Sequence, residues 1–400
     1  MYLPPTHYDY LRRARPYLLE LAEKDAANYA SSLSSLTSVG TIDNIDNHLE
    51  ECLHTGFMRG FQPELRSHLS LEDAIELLQD APTEQRHRLA NFLGGMGIEY
   101  HCIFNFALSG KKTFHFSRNL TEHLLNTEIN LNCRFIELPF PCCMFVYTSP
   151  SAIDALHEAL NGFGNFEPSS REARDYSAPI SVFVTLLDAT SGLSGRSIIF
   201  TAFQARRSDR GHAMTKRQMF LPDDWSLEMA LRTEWDTLYA DGKECVVETR
   251  PGRPSDEGFY TDGLRFFRML INSVLYLSAG RDLTERPSRR SELIAEAASL
   301  QKSKKRRKLQ SANSFSELAY SDVGCDLPPI VISSAHHDDT EPRVVSGLHS
   351  NSLQTRVMVR GHWRHQPHGT GLSQRKLIWI KPFLKGPDIA ELVNKAYHVR

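Results

Sequence analysis

Paired cysteines are the first thing this 400-residue chain lacks. Its seven thiols, Cys52, Cys102, Cys133, Cys142, Cys143, Cys245 and Cys325, are odd in number and show no CxxC spacing. That argues against a disulfide framework or a structural zinc site and fits a reducing compartment. Cys142 and Cys143 stand among Phe140, Met144, Phe145 and Val146 and read as buried, inert thiols. Long apolar runs are missing too. Met269 to Ala279, interrupted by Asn272, is far shorter than the ~20 residues a membrane helix needs. Met1-Tyr-Leu-Pro-Pro has no basic-then-apolar signal pattern, so neither export nor a membrane partner is expected. There is no phosphate-binding loop, nucleophile elbow or HExxH, and Gly94-Gly95-Met96-Gly97 lacks the strand, helix and lysine of a nucleotide cradle. No cofactor and no metal are expected. His336, His337, Asp338 and Asp339 are metal-ligating residue types, but they fall in a polar stretch with no surrounding periodicity.

The net charge of −2 excludes no partner, but its distribution is uneven. Residues 341–400 carry ten basic and three acidic side chains, and residues 281–310 carry ten and four, so these segments hold +7 and +6. The other 310 residues therefore sum to −15. A chain with one basic region on an acidic remainder is built to meet a polyanion at one end.

Periodicity predicts a helix from Tyr8 to Ser31, and Ser70-Leu-Glu-Asp73 resembles a capping box opening Ala74 to Leu78. Cys133 to Tyr147, Ile180 to Leu187 and Ser197 to Phe203 are β-branched and aromatic, and Gly192 and Gly195 supply a turn for an antiparallel meander. Helices are expected after the candidate caps Asp224 and Ser226, and from Asp262 to Ala279. The expected class is α+β: amino-terminal helices, a central mostly antiparallel sheet flanked by helices, and a carboxyl-terminal β-hairpin. Composition divides the chain into an α+β body at 1–280, a basic, partly disordered linker at 281–355, and a basic hairpin segment at 356–400 that packs on the body.

The hairpin is the most chemically pointed element. On a strand from Arg356, a period of two sends Val357, Val359 and Trp363 to one face and Arg356, Arg360, His362 and Arg364 to the other. Gln366 to Gly371 turns the chain, and Lys376 to Lys381 returns through Leu377, Ile378, Trp379 and Ile380. Guanidinium and imidazole groups bind phosphates through charge-assisted hydrogen bonds, so Arg356, Arg360, His362, Arg364 and Lys381 are candidate contacts to RNA or the ribosome. Lys304, Lys305, Arg306 and Arg307, in the run Lys302 to Lys308, are candidates of the same kind, against the plainer reading of a solvated tail. The alternative is enzymatic. His362, His365 and His368 beside Arg360 are the residue types for metal-free RNA cleavage, which needs two proton-transfer groups and a cation.

Arg360-Gly-His-Trp363, five further residues, Gly369-Thr-Gly371, a tryptophan-bearing strand and Pro382 together resemble the carboxyl end of an anti-CRISPR family. It is the type V-A inhibitor family whose characterised member binds the amino-terminal polypeptide of the type V effector nuclease and lowers its messenger RNA in a translation-dependent way. The basic run, Leu138 to Tyr147, and Met269 to Ala279 followed by Arg281-Asp-Leu-Thr284 are similar as well. The residues carried over are Arg360, Gly361, His362, Trp363, Gly369, Gly371 and Pro382, with Trp379 one position off the family's spacing. The resemblance implies a non-enzymatic inhibitor acting in the cytoplasm of a bacterial host, in the service of a phage or other mobile element. Its partners would be a target polypeptide, such as the nascent amino terminus of a type V effector, and the ribosome or messenger RNA.

Overall fold

The computed structural model describes residues 3–35, 97–162, 176–188, 194–206, 212–233, 257–280, 283–328 and 357–385. The capping box at 70–73, Arg356, Gly192 and the His336 to Asp339 cluster lie outside the described residues.

The expected helix from Tyr8 is two helices, α1 (His7–Ala14) and α2 (Pro16–Ser35). Pro16 has no N–H and its ring would collide with the preceding turn, so α1 stops at Arg15 and Pro16 opens α2. Thr6 caps α1: its side chain accepts from the Asp9 N–H while the Asp9 carboxylate takes the Thr6 N–H at 2.8 Å. A third helix, α3, spans 97–108.

Beyond α3 the chain enters the sheet at β1 (Thr113–Phe116), then forms α4 (Arg118–Leu125), the short β2 (Thr127–Glu128) and β3 (Cys142–Tyr147). Cys133 to Tyr147 is extended only at its end. Cys133–Phe135 is a single 3₁₀ turn, and Pro139 and Pro141, which cannot donate to a ladder, precede the strand. α5 (Pro150–Gly162) leads to the meander β4 (Tyr176–Asp188), β5 (Gly195–Arg206) and β6 (His212–Pro222). β4 and β5 are the predicted pair. β6 escaped prediction because Lys216, Arg217 and Gln218 interrupt its apolar pattern. Gly195 opens β5 rather than forming a turn, and a Cβ there would lie 2.6 Å from the Leu221 carbonyl. The short helix α6 (227–233) starts where the Ser226 hydroxyl accepts the Met229 N–H at 3.1 Å, so Ser226 is the cap. α7 (Glu257–Ser278) contains the predicted apolar helix.

Residues 283–328 correct the expectation of a linker. They form β7 (Leu283–Arg286), α8 (Arg289–Ala298), α9 (Lys302–Ala312) and β8 (Tyr320–Val323). β8 lies beside β1 within a seven-stranded sheet of order β6-β5-β4-β3-β1-β8-β7, antiparallel except where β1 pairs with β3 and β8. The polar composition misled because these strands are held by buried charge. His115 Nδ1 lies 2.9 Å from Asp322 Oδ1, and Arg286 Nε donates to Asp322 Oδ2 at 3.0 Å, with His115 and Asp322 fully buried. Burial alone would raise the Asp322 carboxyl, but the His115 and Arg286 contacts outweigh it and hold the group below the usual range.

The sheet is covered on both faces, which is why β3 reads as a continuous apolar run. Cys143, Phe145 and Tyr147 point into a core shared with α4, α5 and α7, while Cys142, Met144 and Val146 point into a second core with α1, α2 and α3. Burial pushes the Cys142 thiol up to about 12 and the Cys143 thiol well above its ordinary value, in keeping with inert core cysteines.

Candidate nucleic-acid and partner surfaces

The carboxyl-terminal segment forms the expected hairpin in four pieces. β9 (Val357–Val359) pairs with β12 (Phe383–Lys385), and β10 (Gly361–His368) pairs with β11 (Gln374–Ile380). Both ladders share one register, so Arg360 stands opposite Pro382, and the proline's missing N–H divides one long hairpin in two. β10 also joins β2 in parallel, Gly361 against Thr127. The pairing leaves no room for a side chain at Gly361: a Cβ would lie 2.5 Å from Thr127 Oγ1 and 2.7 Å from Pro382 Cδ. Gly369 and Gly371, at φ +77° and +65°, take the left-handed backbone the turn requires. The motif residues Gly361, Gly369, Gly371 and Pro382 thus shape the backbone.

Two tryptophans dock the hairpin. Trp363 and Trp379 are direct cross-strand partners and both are buried. Trp363 Nε1 donates to Asn272 Oδ1 at 2.8 Å, and Trp379 Nε1 donates to Thr127 Oγ1 at 3.2 Å. Asn272, the polar interruption in the apolar run, is fully buried on α7. Its Nδ2 donates to the Leu124 carbonyl at 3.0 Å and the Thr127 carbonyl at 2.9 Å. One amide therefore ties the end of α4, β2 and the hairpin to α7. Composition had marked Asn272 only as a defect in a membrane span.

Strand alternation then sets the outer face. Arg364 is exposed, Arg360 is largely exposed with Nη1 3.6 Å from Glu128 Oε1, and His362 lies half-buried between them. Successive outward side chains on a strand are about 7 Å apart, so the two guanidinium groups and the imidazole between them make a short row. Gln366 and its cross-strand partner Lys376 extend it. Lys381 is exposed but falls on the Trp363 side of the register, opposite Gly361. The histidines do not converge. His365 points toward the body, its ring 4.3 Å from that of Phe135, while His362 and His368 are six residues apart on one strand, roughly 20 Å. An acid–base pair across one scissile bond needs far closer groups.

The basic run folds as α9 rather than as a solvated tail. Arg12 Nη2 donates to the Asn313 and Phe315 carbonyls at 2.6 and 2.8 Å, holding its carboxyl end from a distant helix. Lys308 pairs with Glu296, which also meets Arg289 at 3.1 Å. Among the described residues no carboxylate pairs with Lys304, Lys305, Arg306 or Arg307, and all four are exposed. Among the same residues no cluster of His, Cys, Asp and Glu could hold a metal ion, and no helix is long and apolar enough to cross a membrane.

A family model described as AcrVA2-like, anti-CRISPR type V subtype A2 family, matches residues 114–386. The match runs from the second residue of β1 past the end of β12 and so takes in the sheet, α9 and the whole hairpin. It leaves out α1, α2 and α3, which cover the sheet's second face. No curated protein and no solved structure matches the chain.

Proposed function

The chain belongs to the AcrVA2-like anti-CRISPR type V subtype A2 family, and we propose, from that premise, how it inhibits. It binds a specific polypeptide, the amino terminus of a type V effector as it leaves the ribosome, and lowers expression of that target by translation-dependent loss of its messenger RNA. The basic hairpin face touches ribosomal or messenger RNA through phosphates, and the inhibitor works in the cytoplasm of the bacterial host. The observation that carries this reading is the docked hairpin. Trp363, Trp379 and Asn272 hold it against α7 and β2, so Arg360 and Arg364 project from one face with the His362 imidazole between them. Preorganised guanidinium groups lose little freedom on meeting a phosphate backbone, and such contacts weaken steeply with salt. The reading assigns no catalytic residue, and the spread of His362, His365 and His368 favours it over an intrinsic ribonuclease.

Ribosome pull-down from cells expressing the tagged protein, with sequencing of associated messages, tests the proposal. Wild-type protein should enrich one message whose protected reads begin only after the amino-terminal codons are translated. Arg360→Ala with Arg364→Ala should lose ribosome association at moderate salt. Enrichment independent of ribosomes would overturn the nascent-chain reading, and unchanged association of the double variant would overturn the role of the hairpin.

A further inference from the structure

α9 breaks a local rule. Lys302, Lys304 and Lys305 fill its first turn, where the helix dipole disfavours cations, and Gln301 provides no side-chain cap. The helix carries six cations and no acid, and its partners are Arg12 at one end and α8 along one side. A charge arrangement that does not stabilise its own helix points to a partner.

Beside these cations lies an open groove of about 450 Å³ between α8 and α9, lined by Arg290, Ile294, Arg306, Leu309, Ala312 and Asn313. On α9, residues 302, 305, 306, 309 and 313 follow helical spacing, so Lys302 and Lys305 share a stripe with Arg306 and Leu309. The lining is mixed, and its two large apolar side chains are exposed: Ile294 is 44 % and Leu309 37 % accessible. Arg290 reaches Glu317 at 3.1 Å, which leaves Arg306 as the lining cation with no carboxylate among the described residues, and the exposed Lys302 and Lys305 continue its stripe of α9 beyond the groove.

We infer that the α8–α9 groove docks an acidic amphipathic segment of a partner polypeptide, an aliphatic side chain seating between Ile294 and Leu309 while carboxylates meet Arg306, Lys302 and Lys305. RNA fits less well. A phosphate backbone gains nothing from the exposed Ile294 and Leu309, and no aromatic ring lines the groove to stack a base. The volume falls within the range of pockets that hold small ligands and suits one or two anchor side chains rather than a duplex. The inference rests on the polypeptide-binding part of the proposed function and locates a surface for it. It is independent of the ribosome and of the hairpin.

Fluorescence anisotropy with the full chain tests it. The probes are a peptide with leucines at i, i+3, i+4 and i+7 among glutamates, the same peptide with serines replacing the leucines, and a short RNA duplex. Wild-type protein should bind the Glu/Leu peptide about tenfold more tightly than the Glu/Ser peptide. Ile294→Ser with Leu309→Ser should abolish that preference and leave weak, salt-sensitive binding. Arg306→Glu with Lys305→Glu should weaken both peptides, and since all four positions are exposed, circular dichroism should show an unchanged fold. Equal affinity for the two peptides overturns the proposal using wild-type protein alone. So does tighter binding of the RNA duplex that is indifferent to the serine substitutions. Ribosome association that survives Arg360→Ala with Arg364→Ala, with peptide binding intact, would instead count against the hairpin reading only.

Discussion

Removing the hydrogen bond between Trp363 and Asn272 should loosen the hairpin more than the loss of one contact implies. Trp363→Phe keeps most of the aromatic surface but leaves Asn272 Oδ1 without its donor in a fully buried site. A buried unsatisfied acceptor costs about 1–3 kcal/mol, and the smaller ring adds roughly 1 kcal/mol of lost packing. Asn272→Leu is worse. It strands the Trp363 N–H together with the Thr127 carbonyl and takes one donor from the Leu124 carbonyl, for a total of about 3–5 kcal/mol even with partial relaxation. In the double variant the indole N–H and the amide oxygen disappear together. Its destabilisation should therefore fall short of the sum of the two single variants by about 1–2 kcal/mol. Urea unfolding of the four proteins measures the cycle, and hydrogen exchange at β10 and β11 amides locates the loosening. Strict additivity, within the few tenths of a kcal/mol expected for independent sites, would refute the view that this bond docks the hairpin.

Gly361→Ala should lower stability by about 2–3 kcal/mol, because its Cβ meets Thr127, Pro382 and the Ile380 carbonyl, whereas Gly371→Ala, with open space around it but φ at +65°, should cost only about 1 kcal/mol. Equal thermal shifts for the two would contradict the crowding at the β2–β10 junction. His7 and His123 are both held below the ordinary 6.5, chiefly by burial, so they stay neutral in the fold while the unfolded chain takes up protons first. Stability should be whole above about pH 6.5 and fall as pH drops below it. His7→Phe, which can keep the stack on Phe203, should flatten that fall, and a wild-type stability that does not change from pH 7 to 5 would oppose the assignment. Under native conditions Cys325, which is exposed, should alkylate before Cys142 and Cys143, and early labelling of the adjacent pair would show that β3 is not buried at the centre of the sheet.

Local chemistry alone determined a good deal. The period of two in Gly361 to His368 separated buried Trp363 from outward Arg360, His362 and Arg364. The glycines of the GTG turn, the helix around Met269, the inert Cys142 and Cys143 and the mixed α+β class were equally readable. Each of these depends on neighbours within a few residues, and such information is carried by spacing. Tertiary structure decided the rest because the partners are remote in sequence. Asn272 became the hairpin's anchor only when Trp363 reached α7, and Asp322 became a strand residue only beside His115. The basic run became a helix only with Arg12 at one end and Glu296 along its side. Polar composition reads as a connector when the partners that neutralise it are far away in the chain. In the folded sheet Asp322 is buried and paired with His115 and Arg286.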